Sequence, residues 1–139
     1  MMPEIKTILL VEDNEDDAFF FQRALAAASI NVACSVVTDG EAAIHYLAGS
    51  YSYADRSRYP FPIFVFLDLK IPLHDGFEVL QWIRNEKHLT VPVVILSSSP
   101  EPRDKEAARK LGANCYLVKP PTKEMLLDCW KRFGSPAND

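Results

Sequence analysis

The sequence predicts an α/β protein in which five parallel strands form a sheet covered by helices on both faces. Short, continuous apolar runs alternate along the chain with segments whose apolar residues recur every three or four positions. The first pattern is typical of strands buried on both faces, and the second of amphipathic helices. Strands and helices that alternate in this way favour a doubly wound parallel sheet.

The first half of the chain contains two strand–helix pairs. Asn14 is a suitable N-cap for the first helix. Ala43, Ile44 and Leu47 lie on one face of the second. In chain order we expect strand Ile8–Val11, helix Asp16–Ala28, strand Val32–Val37 and a helix that begins at Asp39-Gly40.

The second half contains three more pairs. Pro102 suits a first helical turn and Gly112 a helix end. Thr122 is a suitable cap for the last helix, whose apolar face carries Leu126 and Cys129. In chain order we expect strand Phe64–Leu67, helix Gly76–Arg84, strand Val93–Leu96, helix Pro102–Leu111, strand Cys115–Val118 and a helix after Thr122.

The segment Gly49–Pro62 interrupts this regular alternation. It is longer and more polar than a minimal helix-to-strand connection, and it contains three tyrosines, two arginines and two prolines. The favoured interpretation is an excursion over the protein surface. A partner-binding loop is the alternative.

Composition and charge exclude several classes of protein. The 139 residues carry a formal net charge of −4 and no run of Lys or Arg, which argues against direct nucleic-acid binding. No apolar run is long enough to cross a bilayer, and no signal-peptide core is present. Cys34, Cys115 and Cys129 are odd in number and widely spaced, so we expect buried free thiols in a reducing cytoplasm.

Chemically useful side chains follow four of the predicted strands. They are Glu12 and Asp13, Asp68, Ser97 and Lys119. Since ligands bind at the carboxyl ends of strands in such sheets, these groups should share one rim. Three carboxylates placed together need a cation, and hard oxygen ligands suit Mg²⁺. The set therefore predicts phosphoryl transfer to Asp68, with Lys119 neutralising phosphoryl oxygens and Ser97 donating a hydrogen bond.

At these residues the sequence resembles the response regulator receiver family of two-component signalling, over roughly Thr7 to Phe133. The motifs that carry the resemblance are ILLVEDN, FLDLKIPLHDGFEVL, VVILSSSP and CYLVKPP. The resemblance implies a flavodoxin-like (βα)₅ fold with strand order 2-1-3-4-5. It also implies one receiver domain over residues 1–139, with a core at about 6–133, the insertion at about 49–62 and a disordered tail at about 134–139.

The resemblance also implies roles for individual residues. Asp68 would be the phosphoacceptor, and Lys119, joined to Pro120 by a cis bond, would contact the phosphoryl group. Ser97 and Tyr116 would act as the switch. The ligands of Mg²⁺ would be Asp13, Asp68, Glu12 through water, and the backbone carbonyl of Lys70.

The implied partners are proteins. A histidine kinase or phosphotransfer protein would supply the phosphoryl group, and a downstream protein would receive the signal. Only GSPAND follows Phe133, so we expect output by protein contact or onward transfer of the phosphoryl group. The contact surface would be formed by the fourth helix, fifth strand and fifth helix. Exposed candidates there are Arg109, Lys123, Trp130 and Lys131, with Trp130 as the anchor of a homodimer.

Three features depart from the commonest family pattern: a Glu-Asp acidic pair, Ser instead of Thr as the switch hydroxyl, and the insertion. With NCYLVKP and VEDNEDD, they are similar to a subgroup of small stand-alone receivers, some of them paired with bacterial phytochrome kinases. Such a module is not an enzyme beyond its own phosphorylation and dephosphorylation.

Two other functions remain as alternatives. A phosphorylation-independent binding module would be expected to lack Asp68, Asp13 or Lys119, and all three are present. A phosphatase of the aspartyl-phosphate type needs a second acid two residues after the nucleophile, where this chain has Lys70. A P-loop enzyme is excluded because no GxxxxGK[ST] motif occurs.

Overall fold

The strands form a single parallel sheet in the computed structural model, which describes residues 5–133. The strand order is β2-β1-β3-β4-β5, and every neighbouring pair is parallel. The predicted fold class and strand order are therefore confirmed. The strands are β1 (Lys6–Val11), β2 (Val32–Val37), β3 (Val65–Asp68), β4 (Val93–Ser97) and β5 (Cys115–Val118).

Within the described residues, five α-helices connect and follow the strands: α1 (Glu15–Ala27), α2 (Gly40–Ala48), α3 (Gly76–Gln81), α4 (Pro102–Lys110) and α5 (Lys123–Phe133). The predicted cap Asn14 accepts a hydrogen bond from the Asp17 amide, and Thr122 accepts one from the Met125 amide. The predicted third helix differs in its last turn, because Trp82–Glu86 is π-helical.

The core has two layers, one on each face of the sheet. Successive side chains of a strand point to opposite faces, so Leu9 and Val11 pack towards α2 and α3, while Ile8 and Leu10 pack towards α1 and α5. The central strands β1, β3 and β4 are almost entirely buried. The prediction of five buried strands is wrong for β2 and β5, which are half-exposed because each has a neighbour on one side only.

Trp130 is not the exposed anchor that the sequence suggested. Its ring stacks on Phe64, with centroids 5.3 Å apart and an interplanar angle of 18°. The physical reason is helical periodicity, because Trp130 lies four residues after the buried Leu126 on the same side of α5.

The insertion 49–62 is on the surface but is packed against α2. The Arg56 guanidinium donates hydrogen bonds to the carbonyls of Tyr46, Leu47 and Tyr59 at 2.9–3.1 Å. Two of these carbonyls, those of Tyr46 and Leu47, belong to the last turn of α2, where carbonyls lack i+4 helical amides, and the Tyr46 carbonyl also accepts from the Gly49 amide at 3.2 Å. The rings of Tyr53 and Tyr59 lie 5.1 and 6.0 Å from the ring of Tyr46. The insertion therefore lies on the surface, as the favoured interpretation expected. The alternative, that it is a partner-binding loop, stays untested.

Three further expectations concern membrane spans, the cysteines and the C-terminal tail. No helix within residues 5–133 is long and apolar enough to span a membrane. The three cysteines are free, but Cys129 alone is buried, and Cys34 and Cys115 are half-buried. The predicted disordered tail at about 134–139 lies outside the described residues.

Candidate functional site

The carboxyl ends of the central strands place the predicted site residues at one edge of the sheet. Val11 pairs with Leu67 across β1 and β3, and Asp68 pairs with Leu96 across β3 and β4. Glu12, Asp68 and Ser97 consequently emerge at nearly the same level. The shared rim that the strand ends predicted is present.

Three carboxylates form a compact cluster on this rim. One oxygen each from Glu12, Asp13 and Asp68 lies within 4.8 Å of the other two. Glu12 and Asp68 are buried, with 2% and 6% of their surface exposed, whereas Asp13 is exposed. Like charges held this close disfavour one another, so the cluster requires a cation or a proton.

Lys119 supplies a cation to this cluster. Its Nζ lies 2.7 Å from Glu12 Oε1 and 2.9 Å from both Asp68 Oδ2 and Asp17 Oδ2. The Lys119 side chain is 13% exposed, so these ion pairs are largely shielded from water. The Lys119–Pro120 bond is cis, as the resemblance implied.

Asp17 is a site residue that the sequence analysis missed. It lies in the first turn of α1, four residues after Asp13, in a run of three acids from Glu15 to Asp17. Acids in a first helical turn are favoured by the helix dipole alone, so the run carried no distinguishing signal.

The pKa values of Glu12 and Lys119 are both raised, but for different reasons. Burial raises the pKa of Glu12 to about 7; the hydrogen bond from Lys119 opposes this, and neighbouring Asp68 reinforces it. Burial alone would lower the pKa of Lys119, but hydrogen bonds to Glu12, Asp17 and Asp68 raise it above its ordinary value. Lys119 therefore stays charged, and Glu12 can exchange a proton near neutral pH.

The two oxygens of Asp68 have different partners. Oδ2 accepts from Lys119, and Oδ1 accepts a 3.1 Å hydrogen bond from the Lys70 amide. The Lys70 side chain is exposed and takes no part in this contact. The carboxylate is thus held in one orientation at the end of β3.

Ser99 connects the two predicted switch residues. Its amide donates to Ser97 Oγ at 3.0 Å, and its carbonyl accepts from the Tyr116 hydroxyl at 2.8 Å. The Ser99 hydroxyl also donates to Asp104 of α4 at 2.6 Å. A movement of Ser97 would therefore change the contacts of Ser99 with both β5 and α4. The sequence offered no signal that distinguished Ser99 from Ser98.

A close contact between α3 and β3 supports the position of Asp68. A Cβ atom at Gly76 would lie 2.5 Å from the Asp68 carbonyl oxygen and 2.6 Å from Leu69 Cα. We expect Gly76→Ala to lower the free energy of unfolding by about 1–3 kcal/mol, since backbone atoms must move apart. Denaturant melts measure this, with Gln81→Ala at an exposed position of α3 as the control. Equal stability of the two variants would contradict the contact.

The chain matches a known protein family over most of its length. The family described as response regulator receiver domain matches residues 8–131. The response regulator Rcp1 of Synechocystis is 37% identical over 115 residues, which cover 82% of this chain and 76% of that protein.

Solved structures agree with this match. The bacteriophytochrome response regulator AtBRR is 38% identical with a TM-score of 0.83, covering 95% of this chain and 94% of that one. The phosphorylated cyanobacterial phytochrome response regulator RcpA is 34% identical with a TM-score of 0.77, covering 95% of this chain and 93% of that one. The Mn²⁺-bound form of Rcp1 is 34% identical with a TM-score of 0.74, covering 95% of this chain and 94% of that one.

Proposed function

Because the chain belongs to the response regulator receiver family, we propose that Asp68 is its phosphoacceptor and that phosphorylation changes the contacts it makes with other proteins. The family prediction is confirmed by the match over residues 8–131 and by Rcp1, and the similarity to phytochrome-associated regulators by AtBRR and RcpA. One observation carries the assignment of Asp68: it is the buried carboxylate at the end of the central strand β3, between Glu12 after β1 and Ser97 at the end of β4, with Lys119 Nζ 2.9 Å from its Oδ2.

The contacts of Asp68 suit an in-line attack on a phosphohistidine. A carboxylate oxygen would form the new O–P bond while the P–N bond breaks and the imidazole keeps the electron pair. Lys119 Nζ, already 2.9 Å from Asp68 Oδ2, would neutralise charge on the phosphoryl oxygens. Ser97 Oγ, at the end of the adjacent strand, would donate to one of them. Phosphoryl transfer needs chiefly this positioning and charge neutralisation.

The donor set fits Mg²⁺. Glu12, Asp13 and Asp68 offer carboxylate oxygens within 4.8 Å of one another, and one of the three is exposed, as a partly hydrated ion requires. These residues would hold the ion together with the Lys70 carbonyl. When bound, Mg²⁺ would supply positive charge that offsets the carboxylates and an approaching phosphoryl group. Rcp1, a relative, has been solved with Mn²⁺.

Mg²⁺ is expected to stabilise the unphosphorylated protein. At a concentration 100 times its dissociation constant, a ligand of the folded state adds about 2.7 kcal/mol. Thermal melts with and without Mg²⁺ measure the gain. Asp13→Ala should lose most of it, whereas Asp16→Ala, an exposed acid of the same region, should retain it. If the melting temperature of the wild type were the same with and without Mg²⁺, the ion would not bind to this cluster.

We propose that the phosphodonor protein docks on α1 beside the site. Phe19 and Phe20 are large apolar side chains with 56% and 50% of their surface exposed. Phe20 borders a narrow crevice that Asp17, Lys119 and Pro120 also line. An exposed aromatic pair at the rim of a reactive group is a favourable anchor for a protein that must reach that group.

Phe20→Ala is expected to slow phosphotransfer from an autophosphorylated histidine kinase by roughly tenfold, the effect of about 1.4 kcal/mol of lost contact. Modification by acetyl phosphate should be unchanged, because that donor needs no docking surface. Ile5→Ala is the control, since Ile5 is 59% exposed and precedes β1 at the opposite end of the sheet from the site. Transfer of radiolabelled phosphate from each histidine kinase of the source organism first identifies the donor. The rates for the two variants are then measured with that kinase. Equal slowing with acetyl phosphate would place the defect in the site itself.

The output surface is proposed to be formed by α4, β5 and α5. Ser99 links Ser97 to Tyr116 and, through Asp104, to α4, so a rearranged Ser97 would alter this face. A downstream protein or a second copy of the chain would bind there. Exposed charged side chains on the face are Arg109, Lys123 and Lys131. The alternative, that Tyr116 is an ordinary half-buried strand aromatic, fits the same geometry.

A further inference from the structure

Two cysteines face each other beneath α5, away from the acidic site. Cys115 is the first residue of β5, and Cys129 is in the middle of α5. Their Sγ atoms are 3.1 Å apart. A disulfide bond is about 2.05 Å long, so the sulfur atoms need to approach by only about 1 Å to be joined. The chain therefore holds a thiol pair in position for a covalent link between β5 and α5.

The pair can be reached from solvent through Cys115. A cavity of about 330 Å³ lies between α4 and α5 over β5, and both cysteines line it. Cys115 is half-buried, whereas Cys129 is covered. A small reagent that enters the cavity would meet Cys115 first.

The surroundings favour a thiolate on Cys115. The Cys129 thiol donates to Cys115 Sγ, and this lowers the pKa of Cys115 to about 7, against an opposing effect of burial. The Arg132 guanidinium, 3.9 Å away, assists, and Asp128 opposes. The same contact raises the pKa of Cys129.

From α4, Lys105 and Arg109 line the same cavity and add positive charge. Reactive cysteines are found in such electropositive, partly exposed surroundings. Cys34 differs, since burial raises its pKa to about 11. Of the three thiols, Cys115 is the one best placed to act as a nucleophile.

We propose that Cys115 and Cys129 are a reversible dithiol–disulfide pair, oxidised by small disulfides of the glutathione type with Cys115 as the attacking residue. The thiol chemistry does not use Asp68 or the acidic cluster. The bond would tie α5 to the edge strand next to Tyr116.

The reaction balances with the disulfide as the oxidant. The Cys115 thiolate attacks one sulfur of oxidised glutathione, forms a mixed disulfide and releases one glutathione thiolate, which takes up a proton. Cys129 then loses its proton and attacks Cys115 Sγ, which releases the second glutathione. Two protein thiols are oxidised and one small disulfide is reduced to two thiols.

The test uses the full chain incubated with oxidised glutathione near neutral pH, followed by alkylation of the remaining thiols and peptide mass mapping. We expect the loss of two of the three alkylatable thiols, a crosslinked Cys115–Cys129 peptide, and full reversal by dithiothreitol. Cys34→Ser should give the same crosslink. Cys129→Ser should stop at one glutathione on Cys115, because the resolving thiol is missing.

Other outcomes would overturn the proposal. Wild-type protein that keeps all three thiols alkylatable, or that carries its glutathione on Cys34, lacks the proposed pair. Glutathione on Cys129 in a folded Cys115→Ser variant, at the rate seen for Cys115 in Cys129→Ser, would remove Cys115 from the attacking role. Circular dichroism identifies variants that do not fold, and for those the wild-type peptide map decides.

Discussion

Replacing Asp68 with asparagine is expected to abolish phosphorylation of the protein by acetyl phosphate. The amide nitrogen of asparagine cannot act as the carboxylate nucleophile, yet the side chain keeps the same size at a site that is 6% exposed. The fold should therefore persist while the added phosphoryl mass disappears. Intact-mass spectrometry in the presence of Mg²⁺ measures the effect, and beryllofluoride binding provides a second readout.

The matched control for this loss is Asp16→Asn, the same chemical change in the exposed first turn of α1. It should be phosphorylated like the wild type. If the Asp68→Asn variant gained phosphoryl mass as fast as the control, Asp68 would not be the acceptor. The phosphorylation-independent binding module would then be the better description of this receiver.

Lys119→Ala is expected to have the second large effect, on both stability and phosphorylation. Removing one partner of a buried ion pair costs about 3–5 kcal/mol, because the charges left behind are uncompensated. Here the remaining charges are those of Glu12 and Asp68, with the half-exposed Asp17 beside them. Phosphorylation by acetyl phosphate should fall as well, since the lysine cation that would contact the phosphoryl oxygens is missing.

Mg²⁺ should partly replace the missing lysine. We expect the ion to raise the melting temperature of Lys119→Ala by more than that of the wild type, because both cations neutralise the same carboxylates. Lys123→Ala, at an exposed lysine of α5, should behave like the wild type in melts and phosphorylation. A Lys119→Ala protein with wild-type stability without metal would show that the carboxylates do not need this cation.

The sequence alone determined the alternation of strands and helices and the residues that follow each strand. Both are local properties: apolar runs and their periodicity define a strand, and its next residue must lie at the sheet edge. Glu12, Asp68, Ser97 and Lys119 could accordingly be predicted together, although they are far apart in the chain. The caps Asn14 and Thr122 were predictable for the same reason.

The tertiary structure decided which side chains meet. Asp17 could not be told from its acidic neighbours until the placement of α1 brought it within 2.9 Å of Lys119. Trp130 contacts Phe64, and Cys129 faces Cys115, because of the rotation of α5 on the sheet. A helical pattern specifies an apolar face, but the partners of that face depend on how the helix packs against elements distant in sequence.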